Sequence, residues 1–417
     1  MSGPNGSWDA IVVGGGVAGL STAMQLGIRG RRTLVLERER LGNGSTGRAA
    51  GLVGQLRSSR AATKILVDGV EVVRDLEKRT GRQIYVQTGS LRVASTRERA
   101  AEVAHHIELG RDAGLVVEAI DNADVARLLP YMRADDLLAA CLCPTDGHLK
   151  PADLHAAFVE VAQAHGVELR ERCPVRRIVN RDGRVTGVST DDGEVHAPVV
   201  VNAAGPWSYT IADRADTRLP TAALEHFYLT TAPDSGILVD PLSPAVRDRE
   251  LRIYSRPEAG GLIVGIYGAV AVPHDTEQLA DDFDMASFRP LRDEADVARL
   301  IAAAGKRFPF INSQTPLTLT HGIMTFSPDC RPFCGPDRGV AGLFHCAGFS
   351  GHGIAQSPTV GVIMAQLILD GTTTYDVDAL ATDRFFDDPE LQTRDDVKRR
   401  CATAYRDYYG KVVISGE

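Results

Sequence analysis

Three glycines and one acid near the N-terminus have the types and the spacing that bind a dinucleotide. Gly14, Gly16 and Gly19 follow an apolar stretch, and Glu37 ends the next predicted strand. Gly14 permits a tight turn, Gly16 lets the backbone approach a pyrophosphate, and Gly19 lets a helix pack against the sheet. A carboxylate at Glu37 can accept hydrogen bonds from a ribose diol and would repel a 2′-phosphate. The pattern therefore predicts a site for FAD or NAD rather than NADP.

Three later stretches place small residues where a backbone could approach a ligand. Residues 44–51 are rich in glycine and alanine, and Ser45 and Thr46 can cap a helix or contact a phosphate. Residues 198–205 read as a buried strand that ends in small residues at the carboxyl edge of a sheet. The glycine run 348–353 opens a helix whose N–H groups can face an anion or a polarised carbonyl. A plain surface loop and a plain strand end remain alternatives for the first two stretches.

The composition is that of an ordinary globular protein. The chain has 417 residues, 44% of them hydrophobic and 24% charged, which predicts two or three domain-sized units. The net charge is −8 and the arginines are scattered, so nucleic acid is not an expected partner. No apolar run reaches the roughly 18 residues that cross a bilayer, and no signal peptide is recognisable. A cytoplasmic protein without membrane contact is expected.

Cysteine usage argues against disulfides and against a metal site. The seven cysteines are an odd number without repeated CxxC pairs, so reduced thiols are expected. No histidine cluster accompanies them, so no metal is predicted. They are Cys141, Cys143, Cys173, Cys330, Cys334, Cys346 and Cys401.

Hydrophobic periodicity predicts the elements that position these motifs. Helices are expected over residues 61–80 and 151–165, and a strand over 168–170. The stretch 220–320 alternates strands and turns and contains a charged helix at 294–307. Five polar side chains fall in strand-like segments there: His226, Tyr228, Arg252, Tyr254 and Arg256.

The motifs in this order resemble the D-amino-acid-oxidase-like superfamily of flavoproteins over nearly the whole chain. Gly14 to Gly19 with Glu37 match its ADP site, and residues 44–51 match the loop under the isoalloxazine. Residues 202–207 match the second FAD motif, and residues 348–355 match the helix start that faces the flavin pyrimidine. The resemblance implies FAD, because a nicotinamide enzyme has no use for the isoalloxazine loop and the flavin-facing helix start. It implies that FAD contacts Gly14, Gly16, Val17, Ala18, Gly19, Glu37, Arg38, Ser45, Thr46, Arg48, Ala49, Ala50, Gly51, Val175, Ala203, Gly205, Trp207, Arg331, Gly348, Gly351, His352, Gly353 and Ile354.

The resemblance also implies an α/β fold with two domains. One is a Rossmann-like FAD-binding domain that is discontinuous in sequence, and the other is an α+β substrate domain on an antiparallel sheet. The expected FAD-binding parts are residues 1–84, 149–218 and 321–372, the substrate parts are 85–148 and 219–320, and residues 373–417 form a helical tail.

Within the superfamily the chain looks most like the dimethylglycine and sarcosine dehydrogenase and oxidase branch. Residues 225–231, residues 254–261 and the tyrosine-rich tail 398–409 carry this likeness. Many relatives continue after that tail into a folate-binding module, which this chain is expected to lack. Direct capture of a one-carbon unit on folate is therefore not expected.

Departures from the family pattern refine the expectation. Arg48 stands where relatives with covalent flavin have a histidine, and Gly322 stands where other sarcosine oxidases have a flavin-linked cysteine. Noncovalent FAD is therefore predicted. Ala355 and Ile263 replace the lysines that bind a substrate carboxylate and activate oxygen in monomeric sarcosine oxidases. A small glycine-type substrate and fast use of oxygen are thus not expected.

The implied reaction is oxidation of a C–N bond in a secondary or tertiary amine, such as an N-methyl or N-carboxymethyl amino acid. Hydride passes to flavin N5, and water hydrolyses the imine to an aldehyde and a dealkylated amine. His226 is the expected proton acceptor, relayed by Tyr254. Arg48 is expected to bind a substrate carboxylate or to support reduced flavin. For His352, between two glycines, a catalytic role and a backbone role are both open.

Two other functions stay open at this stage. The same fold oxidises 2-hydroxy acids such as L-2-hydroxyglutarate, in which case His226 would take a hydroxyl proton. The chain could also be a flavin-binding subunit of a hetero-oligomer with a structural FAD. The residues do not identify the exact substrate, the oligomeric state, or whether O2 or another acceptor takes the electrons.

Overall fold

The computed structural model describes residues 7–233, 235–268, 270–288, 290–291, 294–408 and 410–411. Tyr409, in the tail that the sequence singled out, lies outside the described residues. The helices are α1 Val17–Ile28, α2 Arg60–Thr80, α3 Arg97–Asp112, α4 Asn122–Leu128, α5 Pro151–Ala164, α6 Ser208–Asp213, α7 Glu294–Arg307, α8 Gly353–Asp370 and α9 Arg394–Asp407. Every helix in the described part of the chain is too short or too polar to cross a bilayer.

The strands are numbered in chain order. They are β1 Ala10–Val13, β2 Thr33–Leu36, β3 Leu52–Val53, β4 Tyr85–Gln87, β5 Ser90–Ala94, β6 Glu118–Ile120, β7 Ala139–Cys143, β8 Gly147–Leu149, β9 Glu168–Arg170, β10 Arg177–Arg181, β11 Arg184–Thr190, β12 Gly193–His196, β13 Val200–Asn202, β14 Ala222–Thr231, β15 Ala245–Asp248, β16 Ile253–Glu258, β17 Gly261–Ile266, β18 Pro273–His274, β19 Leu317–Phe326, β20 Phe333–Pro336 and β21 Leu343–Ala347.

The first sheet is the predicted Rossmann-like one. Its order is β20-β21-β13-β1-β2-β9, with every pairing parallel except that of β20 with β21. All residues of β1, β2 and β13 are buried, as is usual for parallel strands that are covered on both faces. Helices α1, α2, α5 and α8 pack together over this sheet. The carboxyl ends of β1, β2 and β13 therefore meet at one edge.

The second sheet is large and mainly antiparallel. Its order is β18-β14-β17-β16-β15-β5-β7-β6, and β19 pairs with the other edge of β14 along its whole length. The pairing of β15 with β5 is parallel, and the others are antiparallel. The expected two-part α/β architecture is thus confirmed. The predicted boundary between residues 320 and 321 falls inside strand β19.

Two smaller sheets complete the described structure. Strands β10, β11 and β12 form one, and β3, β8 and β4 form the other. One local expectation was wrong: Arg252 lies in a turn with φ of 58° rather than in a strand. The turn follows the Asp248 carboxylate, whose Oδ1 accepts from the N–H of Leu251 at 2.9 Å. A short polar side chain that bonds the backbone three residues on favours a turn over a strand.

Candidate active site

Glycines shape the turn between β1 and α1. Gly14 has φ of 113°, and a Cβ there would lie 2.4 Å from the carbonyl oxygen of Ala203. A Cβ at Gly19 would lie 2.0 Å from the carbonyl oxygen of Gly14. Neither position can carry a side chain, so the first glycine motif packs directly on the end of β13. The N-terminus of α1 faces the cavity beyond, where its N–H groups and dipole favour an anion such as a pyrophosphate.

The carboxylate of Glu37 lines the same cavity, just beyond β2. Its Oε2 accepts from the N–H of Gly15 at 2.8 Å, and its Oε1 accepts from the N–H of Glu39 at 3.1 Å. Burial raises the pKa of the Glu37 carboxyl, and the Gly15 N–H acts in the opposite direction. Each carboxylate oxygen has a second acceptor site, so Glu37 can still bind a ribose diol.

The far end of the cavity next to Glu37 is aromatic and polar. The guanidinium of Arg38 lies 4.4 Å from the ring centre of Trp207, and its Nε donates to the carbonyl of Asp281 at 3.2 Å. The hydroxyl of Thr210 is buried, lines the cavity and has no hydrogen-bond partner among the described residues. A buried polar atom without a partner is uncommon and suits a bound polar ligand. This end therefore fits the adenosine part of a dinucleotide.

The loop at residues 45–51 is fixed from both sides. Thr46 Oγ1 accepts from the N–H of Val17 at 3.2 Å, and Ser45 Oγ donates to the carbonyl of Ile323 at 2.5 Å. Arg256 Nε donates to the carbonyl of Ala50. Gly51 has φ of 77°, and a Cβ there would lie 2.2 Å from the carbonyl oxygen of Leu149. The loop is thus held between helix α1 and the second sheet.

Helix α8 begins at the opposite wall of the cavity. Gly348 and Gly351, before its first turn, have φ of 75° and 87°, and His352 is its N-cap residue. A Cβ at Gly351 would lie 2.8 Å from the hydroxyl of Tyr267. The backbone therefore approaches the second sheet closely here. The free N–H groups of the first turn face the cavity.

One continuous cavity joins these parts, from Glu37 to the second sheet. Every residue that the sequence assigned to FAD lines it except Gly19 and Arg331. Gly19 packs under the glycine turn instead. The expectation for Arg331 was wrong: its side chain is exposed, and its carbonyl accepts from Arg384 at 2.7 Å. A long cavity with a cradle for phosphates, a polar adenosine end and a helix N-terminus fits FAD.

One row of cross-strand neighbours in the second sheet contributes Arg247, Tyr254, Tyr228 and Thr320 to the other wall of this cavity. In register across adjacent strands the row contains Arg92, Arg247, Tyr254, Gly265, Tyr228 and Thr320. Neighbours in register point to the same face. A Cβ at Gly265 would lie 2.1 Å from the ring of Tyr254, so that ring lies flat over the glycine. The glycine thereby lets Tyr254 extend toward the next strand.

His226 contacts the hydroxyl of Tyr254 and the hydroxyl of a second tyrosine. His226 is 8% exposed, lines the cavity, and its Nε2 lies 2.9 Å from the hydroxyl of Tyr254. Its Nδ1 lies 3.1 Å from the hydroxyl of Tyr405, which helix α9 supplies. The structure thus brings together the predicted pair His226 and Tyr254 and adds Tyr405.

A second imidazole and phenol lie beside this group. His352 Nε2 is hydrogen-bonded to the hydroxyl of Tyr408, and the ring of Tyr267 packs 4.8 Å from that of Tyr408. Burial, followed by the positive charges of Arg57 and Arg247, lowers the pKa of His352 to about 3. His352 is therefore neutral at pH 7.

Arg48 lies at the other side of His226. Gly322 is the register partner of His226 on β19, and a Cβ at Gly322 would lie 3.0 Å from Cβ of Arg48. Arg48 lines the cavity and forms no hydrogen bond or ion pair through its guanidinium with any other described residue. A cation in a cavity without a protein partner is suited to an anionic ligand.

The sequence pattern did not single out three residues that line this wall and one that lies behind it, against His226. They are Arg247, Tyr267, Tyr405 and Tyr408. The tyrosine-rich tail at residues 398–409 could have pointed to Tyr405 and Tyr408. Nothing in the local pattern around Arg247 distinguishes it from the chain's many surface arginines.

Comparison with known proteins identifies the family. Residues 9–367 match the family model described as FAD dependent oxidoreductase (DAO). The chain is 31% identical over 384 residues to 4-methylaminobutanoate oxidase (formaldehyde-forming) of Paenarthrobacter nicotinovorans, which covers 90% of this chain and 45% of that protein. It is 32% identical over 385 residues to human mitochondrial sarcosine dehydrogenase, covering 90% of this chain and 41% of that protein.

The chain therefore spans less than half the length of these two relatives. The crystal structure of L-proline dehydrogenase from P. horikoshii has the same fold, with a TM-score of 0.82 at 24% identity over 91% of this chain and 98% of that one. The predicted resemblance, including the likeness to the sarcosine dehydrogenase branch, is confirmed. The chain belongs to the family of FAD dependent oxidoreductases.

Proposed function

We propose that this protein oxidises a C–N bond in a secondary or tertiary amine of the N-alkyl amino acid type, with FAD bound noncovalently. The observation that carries the proposal is the contact of His226 with Tyr254, 2.9 Å long, in the wall of the cavity that the loop at residues 45–51 also lines. Similarity to a 4-methylaminobutanoate oxidase and a sarcosine dehydrogenase supports the same class of substrate.

When bound, FAD supplies the redox chemistry by accepting hydride from the carbon next to nitrogen, and water then converts the iminium to an aldehyde and a smaller amine. The N-terminus of α8 faces the cavity and stabilises negative charge there. Neutral His352 at that N-cap adds no positive charge of its own at pH 7.

His226 and Tyr254 take the proton that the substrate ammonium must lose before hydride can leave. Tyr254 lines the cavity and donates its hydroxyl proton to His226 Nε2 while it accepts one from the amine. Two short steps thereby carry the proton from the amine to a buried imidazole. His226 suits this task because a positioned imidazole is the commonest general base in enzymes.

Arg48 orients the substrate by pairing with its carboxylate. The guanidinium is half-buried, so the pair is stronger than one in bulk water. The register pairing of His226 with Gly322, which Arg48 covers, places the bound carboxylate beside the proton acceptor.

Noncovalent attachment rests on two positions of the cavity wall. Arg48 and Gly322 occupy the places where the family resemblance puts flavin-linked side chains, and neither can form such a bond. Acid precipitation of the yellow protein should release all of the flavin into the supernatant. Flavin that stays with the pellet would contradict this part of the proposal.

The main test is anaerobic reduction of the bound flavin. The purified holoprotein is mixed with sarcosine, N,N-dimethylglycine, 4-methylaminobutanoate and a panel of 2-hydroxy acids, and the absorbance near about 450 nm, the usual band of oxidised flavin, is followed. We expect bleaching by an N-alkyl amino acid. Bleaching by hydroxy acids alone would replace this proposal with oxidation of C–O bonds, and no bleaching by any of them would overturn it.

A matched pair of histidines tests the proton acceptor. His226→Asn should slow flavin reduction by about 10²- to 10⁴-fold, the usual contribution of a positioned acid–base group. His321→Asn is the control, because His321 lies on β19 and its ring stacks on Phe227, at 5.5 Å, on the other face of the sheet. Equal rates in the two variants would exclude the assigned role of His226.

A further inference from the structure

Three arginines meet at the end of the cavity that lies beyond Tyr254. Arg92 on β5 and Arg247 on β15 are register partners, so their side chains leave the same face of the sheet side by side. Arg57 approaches from the segment after β3. Its Nη1 lies 3.5 Å from the carbonyl oxygen of Leu56, which also accepts from Nη2 of Arg92 at 3.1 Å. We call these three residues the arginine group.

Two members of the group, Arg57 and Arg92, carry positive charge that no described carboxylate pairs with directly. Arg57 and Arg92 are half-buried and form no ion pair with a described residue. The carboxylate nearby is that of Asp146, whose oxygens accept from the N–H of Gln55 at 2.8 Å and from the hydroxyl of Ser90 at 2.5 Å. Cations that are withdrawn from water without a counter-charge are costly. An anionic ligand at this end would remove that cost.

Arg247 gives the group access to the cavity. It is 8% exposed and lines the cavity together with His352 and Tyr408. A Cβ at Gly54 would lie 2.6 Å from Arg247 Nη1, so the guanidinium lies directly over that glycine. The absence of a side chain at Gly54 leaves the space that the guanidinium occupies.

The arginine group and Arg48 lie on opposite sides of the proton acceptor. Arg247 is the register partner of Tyr254, whereas Arg48 covers the register partner of His226. Strands β15, β16, β17, β14 and β19 separate the two positions, which at the usual spacing of about 4.8 Å per strand is roughly 19 Å between backbones. Two arginine side chains that extend toward each other leave room for a small molecule between them.

We propose that the arginine group is a second anion subsite, and that the substrate is an amine with two carboxylates, one bound at Arg48 and one at Arg247. This inference rests on the proposed function for its amine, but the subsite itself is a binding property. An N-alkylated amino dicarboxylic acid has the required chemistry. Its amine would lie between the two acid groups, next to Tyr254.

The test uses acids that cannot be oxidised, so it does not depend on turnover. Oxidised holoprotein is titrated by calorimetry with glutarate and with pentanoate, which have the same number of carbon atoms but two and one carboxylates. Because a hydrogen-bonded charge contributes about 1.5–3 kcal/mol, glutarate should bind at least about tenfold more tightly. Equal affinities would overturn the inference, and this result would stand even if no amine were oxidised.

Matched variants test whether the arginine group causes the preference for glutarate over pentanoate. Arg57→Gln should reduce the ratio of the two affinities by at least about fivefold, and Arg57→Lys should keep most of it, since the charge is retained. Arg60→Gln is the control, because Arg60 is exposed at the start of α2, three positions away. A glutarate preference that survives Arg57→Gln in a protein with normal FAD content would reject the subsite, and so would an equal loss in Arg60→Gln.

Discussion

Both ring nitrogens of His226 contact a tyrosine hydroxyl, and these two contacts decide which nitrogen carries the proton. A neutral imidazole donates from one nitrogen and accepts at the other. If Nδ1 of His226 donates to Tyr405, then Nε2 must accept from Tyr254, and this arrangement can pass a proton from the cavity to the ring. Tyr405 does not line the cavity, so we infer that it positions His226 rather than contacting the substrate.

Replacing Tyr405 by phenylalanine tests this positioning role by removing a single oxygen atom. The ring of Tyr405 is fully buried, so Tyr405→Phe keeps the packing and removes the hydroxyl. A buried hydrogen bond contributes about 0.5–1.5 kcal/mol, so the rate of flavin reduction should fall by about 2- to 10-fold with little change in KM. The pH dependence of that rate should also shift, because His226 loses a partner at Nδ1.

The control for this variant is Tyr375→Phe. The hydroxyl of Tyr375 donates to Asp68 at 2.8 Å, neither residue lines the cavity, and the loss of this hydroxyl should leave both the rate and the pH profile unchanged. A normal pH profile in Tyr405→Phe would show that Tyr405 serves packing alone.

At the scale of elements, the sequence pattern predicted the bounds of helices and strands that depend on residues close together in the chain. Strand β9 and helix α7 have the predicted bounds, and helix α2 ends at Gly81, which has φ of 68°. The role of Tyr405 was out of reach, because its partner His226 lies 179 positions away in sequence. Periodicity shows which face of a helix is apolar but not which sheet that face meets.

The misplacement of Arg331 has a local cause. Cys330, just before it, has φ of 63°, which turns the chain so that Arg331 points to solvent. Cysteine seldom adopts this left-handed conformation, so a cysteine at position 330 does not predict a turn. The glycine turns, in contrast, lie where the pattern predicted them, before α1 and before α8, because their φ values and close contacts admit few other residues.

Helix α9 carries Tyr405, so its stability should govern how firmly His226 is held. Thr393 caps α9: its hydroxyl accepts from the N–H of Asp396 at 3.2 Å, and the Asp396 carboxylate accepts in return from the N–H of Thr393 at 3.0 Å. Thr393→Ala should therefore destabilise α9 by about 1 kcal/mol. Amide hydrogen exchange in α9 should accelerate about fivefold.

The reciprocal variant is Ser59→Ala. The hydroxyl of Ser59 caps α2 by accepting from the N–H of Ala62 at 3.2 Å, so its loss should affect exchange in α2 and not in α9. Unchanged exchange in α9 after Thr393→Ala would mean that packing on β14 and β19, not the cap, holds the helix.

At the scale of the whole molecule, burial between sheets and helices keeps several histidines neutral. Burial is the first cause in each case: it lowers the pKa of His106 to about 2 and that of His148 to about 4. His352 behaves in the same way, with a pKa of about 3. In the unfolded chain these imidazoles would titrate near 6.5. Between those values the unfolded state binds more protons than the folded state does.

The free energy of unfolding should therefore fall as the pH drops below about 6.5, and each such histidine adds about 1.4 kcal/mol per pH unit to the slope. His106 offers a clean test, because it lies outside the cavity lining and its Nδ1–H donates to the carbonyl of Glu102 at 2.7 Å. Its neighbours Arg92, Arg249 and His105 lower its pKa further. His106→Gln, which cannot gain a proton, should make the slope between pH 6 and pH 5 shallower by about 1.4 kcal/mol per pH unit in urea unfolding of the holoprotein. The exposed-site control His196→Gln should leave the slope as it is; an unchanged slope in His106→Gln would mean that His106 does not contribute to the acid sensitivity.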